Sequence, residues 1–318
     1  MILERDSTWL DERAATEMVR AVLGLALDVT AVRRLHGGTV SSVLELSTDG
    51  HPSSIVAKLV AEPGRAVFDW EHRVLSWLRQ NTEFPVPESY GCDISGRTFP
   101  GSYILLEKLP GVTLDKAELT AEEKPLIERE IAGHVARLHS HRRRSYGSAL
   151  RPDEEGWARW IDRFEPRIRR EFEAVADRLT PAARRAAGRA IADLRYLMPE
   201  AGDPQLAHND LWSGNIMVAR GGDGRPHVSG FIDIIEDEIG AADYVDAEYE
   251  LSYLLAFRTV GDGFFEVYAR THPLRDGFEV RSLIYRLCTM MLHMRLMEQP
   301  FFTKEAEMVA AELAKHVG

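Results

Sequence analysis

The hydrophobic period of this 318-residue chain changes at Pro110-Gly111, and that change limits its architecture more than any other feature. Before it, "AVRRLHGGTVSSVLELS" and "SSIVAKLV" are β-rich runs separated by "TDGHP". The Asp-Gly step marks a turn, so neighbouring antiparallel strands are expected. Residues 10–27 read as an amphipathic helix with Met18, Val22 and Leu25 along one side. A second helix, "AVFDWEHRVLSWLRQ", carries Val67, Trp70, Val74 and Trp77 or Leu78 at helical spacing. "FPVPESYGCD" reads as a Pro-rich connection and "GSYILLEKL" as a further strand.

Beyond Gly111, residues 122–139, 157–179, 181–198, 264–270, 279–298 and 304–316 have helical periodicity, and only 206–218 and 227–234 are β-like. In the second of these helices Trp157, Trp160, Ile161, Phe164, Ile168, Phe172, Val175 and Leu179 form one stripe, read as core, in which Pro166 predicts a kink or break. The expectation is an α+β chain of two lobes. Residues 1–108 form the smaller one around an antiparallel sheet, and residues 109–318 a mostly helical one.

Charge and cysteine usage narrow the function classes. Asp and Glu outnumber Lys and Arg by 50 to 39, a formal net charge of −11, which argues against binding nucleic acid or an anionic membrane. It suits a cationic small molecule. Cys92 and Cys288 stand far apart in no metal-ligand spacing and read as reduced thiols. The charged N-terminus has no signal-peptide core and no apolar run approaches a membrane span, so a cytoplasmic location is expected.

"LAHNDLWSGNIMV" (206–218) holds His208, Asp210 and Asn215 among apolar residues, either as a capped turn or as a catalytic loop. "VSGFIDI" delivers Asp233 at the end of a β-branched and aromatic run, where a carboxylate is costly unless paired or bound to metal. Asn215 and Asp233 supply oxygens of the kind Mg²⁺ takes. Lys58 in "IVAKLV" could simply alternate outward, and Glu71 in "FDWEHRVL" could belong to the polar face of its helix. Each signal is weak alone. Lys58, Glu71, Asp210, Asn215 and Asp233 are, however, the ordered set that phosphoryl transfer requires: a Glu-held Lys on phosphate, an Asp on the acceptor hydroxyl, and Asn with Asp on the metal.

These residues resemble the aminoglycoside phosphotransferase and fructosamine kinase superfamily, small-molecule kinases with a bilobal protein-kinase-like fold. "AHNDLWSGNIMV" is similar to its H-G-D-L-x-x-x-N loop, especially the fructosamine kinase form; "FIDI", "AKLV", "YILLEKLPG" and "VARLHSHRRRSYGS…GWARWIDRF" match its metal segment, strand lysine, hinge and Leu-His helix. The likeness spans roughly 35–255. It implies that Asp210 is the catalytic base, Asn215 and Asp233 are Mg²⁺ ligands, Lys58 contacts the phosphates with Glu71 as partner, and the backbone of Glu107 and Leu109 holds the adenine. Gly37 and Gly38 would form a glycine-rich turn over the phosphates, or an ordinary hairpin. His208 is expected to brace the loop. The chain departs from the family pattern at Ile234 and at Ala241. Asp246 and Glu250 become available under a shifted alignment, and the acid that braces the loop is unassigned.

The resemblance implies an enzyme using ATP (or GTP) with Mg²⁺ on a small-molecule hydroxyl, as monomer or homodimer. The first expectation for the acceptor is an aminoglycoside or other sugar-containing antibiotic, tying the chain to antibiotic resistance. A fructosamine, ketosamine or amino sugar is the alternative; a choline-type acceptor or a nucleotide-binding pseudokinase stands behind them. A protein kinase is disfavoured, because no D-F-G or A-P-E follows Asp233. The acids between 236 and 250 either bind substrate ammonium groups, with Glu236 and Asp243 first, or are solvated faces. Replacing Asp210 by Ala should cut turnover severely and leave nucleotide binding nearly intact; near-normal phosphorylation by that variant would remove the assignment.

Overall fold

The computed structural model describes residues 10–35, 41–199, 201–234 and 242–316. Gly37, Gly38 and Glu236 lie outside them. The chain divides into two compact units, Met1–Gly111 with Ser229–Glu238, and Val112–Val228 with Ile239–Gly318. The division is therefore not a single cut, because a short segment after residue 228 returns to the first unit.

The first unit opens with α1 (Glu12–Leu23). Asp11 caps it by accepting from the Ala14 N–H at 2.7 Å, and Gly24 ends it in the left-handed conformation. The strands β1 (Val29–Arg34), β2 (Ser42–Thr48) and β3 (Ser54–Val60) follow, then α2 (Ala66–Asn81), β4 (Ser89–Asp93) and β5 (Ser102–Glu107). They make one antiparallel sheet in the order β1-β2-β3-β5-β4. The expected pairing across "TDGHP" is the β2–β3 pair. The run before it is two strands, and half of the expected Pro-rich connection is β4. Met18, Val19, Leu46, Ile55, Leu59 and Tyr103 fill the core between α1 and the sheet. Ser229–Phe231 belongs to this unit through the Phe231 N–H, which donates to Pro85 O at 2.8 Å, and through stacking of Phe231 on Phe84.

The second unit starts with β6 (Val112–Thr113) and continues with α3 (Glu123–His139), β7 (Gly147–Ser148), α4 (Trp160–Val175), α5 (Pro181–Ala192), α6 (Leu194–Leu197) and β8 (Gln205–Ala207). Then come β9 (Ile216–Arg220), β10 (Pro226–Phe231), whose last three residues belong to the first unit, β11 (Asp243–Val245), α7 (Ala247–Ala256), α8 (Asp262–Tyr268), α9 (Phe278–Leu296) and α10 (Pro300–Leu313). Pro166 stands inside α4 without ending it. It falls in the second turn, where one missing N–H is outweighed by burial of Trp160, Phe164, Ile168 and Val175. Trp157 is an exception to the expected stripe. It precedes the helix, is 47% exposed, and lies beside the Arg163 guanidinium. Helix α9 is buried nearly all round and central to the core. β6, β7 and β11 are strands of two or three residues, too short to leave a period in the sequence. β11 lies between β7 and β8, pairing Asp243 with Ala207 and Tyr244 with Leu206, so it buttresses the start of the 206–218 loop. Among the described residues no helix is long and apolar enough to cross a membrane.

One carboxylate ties the first sheet together on its strands. Glu45 of β2 accepts from Arg33 Nε of β1 at 3.0 Å and from Ser54 Oγ of β3 at 2.8 Å, and pairs with Lys108. Burial alone would raise its carboxyl, but the hydrogen bonds from Lys108, Arg33 and Ser54 win and hold it at about 2. A folded value below the ordinary 4.5 means that this stabilisation is complete above pH 4.5 and is lost as the pH falls toward about 2. Urea midpoints of the wild type should therefore drop through that window more steeply than those of Glu45→Gln, which has no such group to protonate.

Candidate active site

The residues expected to carry chemistry fall into two sets, each preorganised within its own unit. In the first unit, β3 presents Lys58 from a position paired with Val43 and Ile104. Its ammonium donates to Glu71 Oε1 at 2.6 Å and to Asp233 Oδ1 at 2.8 Å. The Lys58 side chain is 10% exposed, so the outward-facing reading of this residue is excluded. Glu71 is not on a polar face either. It is fully buried on α2 in the row Phe68, Glu71, Leu75, Leu78, whose spacing of three and four places it on the inner side.

Such a carboxylate is stable inside only because a cation meets it. Burial alone would pull the Lys58 ammonium down, but the charges of Asp233 and Glu71 more than reverse that and hold it protonated above its usual range. Two carboxylates share one ammonium, and Glu71 Oε2 is buried without a hydrogen-bond partner among the described residues. Asp233 adopts φ +67°, a left-handed conformation that Asp tolerates better than most residues. It leaves its partly exposed carboxylate directed at Lys58.

At the hinge expected to hold adenine, the Glu107 N–H donates to Glu88 O at 2.8 Å and Glu107 Oε2 accepts the Glu88 N–H at 2.9 Å. Of the Glu107 backbone only the carbonyl is left for a ligand. Leu109 is buried just past the end of β5.

The second unit builds the loop itself. Asp210 N–H donates to His208 Nδ1 at 3.2 Å, so the buried histidine faces the protein and braces the turn. Both hydrogens of the Asn215 amide point at Asp210, reaching its carbonyl at 2.9 Å and Oδ2 at 2.8 Å. That leaves Asn215 Oδ1 with no hydrogen bond among the described residues. A neutral oxygen left without a donor suits a hard cation such as Mg²⁺. Tyr253 of α7 donates its hydroxyl to Asp210 Oδ1. The half-exposed Trp212 ring covers Gly214, where a Cβ would stand 2.3 Å from the indole and would push the ring aside.

The missing brace is Glu250. Its Oε1 accepts the N–H of Asn209, itself at φ +67°, at 2.6 Å. Its Oε2 accepts from His139 Nε2 at 2.7 Å, and His139 Nδ1 meets the Tyr268 hydroxyl at 2.7 Å. A carboxylate only accepts, which sets the histidine tautomer. The pairing also explains the Leu-His that ends α3.

Asp243, expected to bind substrate, is corrected by this geometry. It lies buried on the central strand β11 and is paired with Arg163 of α4, so its carboxylate is committed inside the protein. Asp246 caps α7 and meets Arg275 and Tyr285, and Glu248 meets Arg275 and Arg281. The described acids of this stretch are therefore neither solvated nor open to a ligand. His139, Tyr253 and Tyr268 were not read as functional from sequence. The Leu-His ending was the one available hint.

A family model described as the phosphotransferase enzyme family matches residues 31–280. The chain is 25% identical over 278 residues to protein-ribulosamine 3-kinase, chloroplastic, of Oryza sativa subsp. japonica, covering 86% of this chain and 76% of that protein. It is 24% identical over 295 residues to a Vibrio parahaemolyticus protein named probable ketoamine kinase, covering 89% and 93%. Its fold is similar to that of a thermostable mutant of aminoglycoside phosphotransferase APH(4)-Ia, solved in ternary complex with AMP-PNP and hygromycin B. That match has a TM-score of 0.67 and 17% identity over 95% of this chain and 98% of the other. At that identity the likeness is one of fold.

Replacing Glu250 by Leu would leave the Asn209 N–H and His139 buried without their acceptor. The expected loss is about 3 kcal/mol in a denaturant titration, with Glu250→Gln losing less because it keeps an oxygen for Asn209.

Proposed function

The chain belongs to the phosphotransferase enzyme family and is a small-molecule kinase, and from that premise we propose that its acceptor is a ketosamine, phosphorylated on a sugar hydroxyl with ATP and Mg²⁺. The observation that carries the nucleotide half of this reading is the buried Lys58 ammonium shared by Glu71 and Asp233. It is a fixed cation of the kind that meets phosphate oxygens in phosphoryl transfer. The acceptor half is supported by the curated relatives, matched over most of their length and named ribulosamine and ketoamine kinases. Our first expectation of an antibiotic acceptor has weaker support, since the aminoglycoside likeness is one of fold.

In this mechanism Lys58 holds nucleotide phosphate oxygens while Glu71 keeps its ammonium in place. Asn215 and Asp233, each within its own unit, would offer oxygens to Mg²⁺. When bound, the metal would neutralise charge developing on the phosphate oxygens. Asp210 orients the acceptor hydroxyl and takes its proton, as the hydroxyl oxygen bonds to the γ-phosphorus and the bond to the ADP oxygen breaks. The transition state is loose, so the protein contributes mainly position and charge.

The test is a phosphate-transfer screen over fructosamines, ribulosamines, amino sugars, aminoglycosides and other glycosylated antibiotics, with ATP and GTP in parallel. The highest kcat/KM is expected for a ketosamine. Turnover of an aminoglycoside with ketosamines silent would replace this reading with the antibiotic one.

A further inference from the structure

Helix α7 touches the 206–218 loop twice from one face. Glu250 and Tyr253 are three residues apart and so project together. Glu250 takes the backbone N–H of Asn209, and Tyr253 donates its hydroxyl to the side chain of the next residue, Asp210. The second contact has no counterpart in the five-residue set that the sequence supplies for phosphoryl transfer. We propose that Tyr253 is a positioning residue for Asp210, fixing the plane in which the carboxylate meets the acceptor hydroxyl. The proposal rests on the reading that Asp210 orients that hydroxyl.

An aspartate on a loop can rotate about its Cβ–Cγ bond, and rotation moves both oxygens. Asn215 holds Oδ2 at 2.8 Å and Tyr253 holds Oδ1, so each oxygen has its own donor from a different part of the chain. With both oxygens held, one plane remains, and the lone pairs not used by these donors keep a set direction. The Tyr253 donor is itself closely packed. Its ring is 1% exposed, lies 4.7 Å from the Phe257 ring, and packs with Leu292 and near His293. A hydroxyl anchored this firmly passes the rigidity of α7 to the carboxylate. Phosphoryl transfer depends on position more than on covalent chemistry, and a displacement of about 1 Å can cost roughly 100-fold in rate.

Tyr253→Phe keeps the ring and removes only the donor. Tyr285→Phe is the matched control, because Tyr285 also donates a buried hydroxyl to a carboxylate, Asp246 at 2.9 Å, away from the loop. Both variants and Asp210→Asn are assayed as full-length protein with Mg·ATP. The acceptors are fructosyl-lysine and, separately, water (ADP release without a ketosamine), so that a wrong acceptor assignment leaves Tyr253 measurable.

The expected result is a fall in kcat of about 10- to 100-fold for Tyr253→Phe, with the KM for ATP within about twofold of wild type. Its melting temperature should match that of Tyr285→Phe, which keeps wild-type kcat. Wild-type kcat in Tyr253→Phe, or an equal loss in both variants, overturns the proposal. If Asp210→Asn turns over normally, the reading of Asp210 itself falls and this proposal with it. An inactive Asp210→Asn beside a fully active Tyr253→Phe sinks this proposal alone.

Discussion

The second unit depends on one buried carboxylate. Glu250 has no solvent exposure, and a charge in that position is tolerated only if both oxygens are met. They are met by a backbone N–H from the loop after β8 and by a histidine at the end of α3, which is held in turn by a tyrosine of α8. α7, the loop, α3 and α8 are therefore linked in one chain of contacts through this group, and a shift of any of them would expose an unpaired polar atom. The left-handed Asn209 is a consequence: the backbone turns sharply there so that its N–H reaches Glu250 while the following Asp210 presents its side chain to Tyr253 and Asn215.

The first unit reaches the same end with a different charge balance. Lys58 is a cation between two carboxylates, one fully buried and one, that of Asp233, partly exposed. A carboxylate that meets a buried ammonium and also reaches the surface is the feature on which the proposed nucleotide and metal reading rests. Glu71 can be retained inside α2 only because Lys58 is there to meet it.

The sequence made these groups legible one at a time and misjudged several of their surroundings. Lys58 and Glu71 were each compatible with a solvent-facing position, and only their joint occurrence with Asp210, Asn215 and Asp233 argued otherwise. The row Phe68, Glu71, Leu75, Leu78 already carried the phase that buries Glu71, beside a stripe of Val67, Trp70, Val74 and Trp77 or Leu78 that leaves this residue out. The acids from Asp243 to Glu250 were harder. Charge next to charge reads as solvated or ligand-binding, whereas here Arg163, Arg275, Arg281 and His139 meet each of them inside the protein. Those partners come from helices α3, α4 and α9 and the segment before α9, where no local pattern points to them.

Local chemistry thus determined the change of period at Gly111, the turns, most helices, and the order of the groups we propose for phosphoryl transfer, because period and turn preference act over a few residues. Tertiary structure alone decided which acid braces the loop and which tyrosine holds Asp210. Glu250 and Asn209 are 41 residues apart, Tyr253 and Asp210 are 43, and His139 and Glu250 are 111. Burial and pairing over such separations follow from how elements pack, and the sequence between them carries no period that records it.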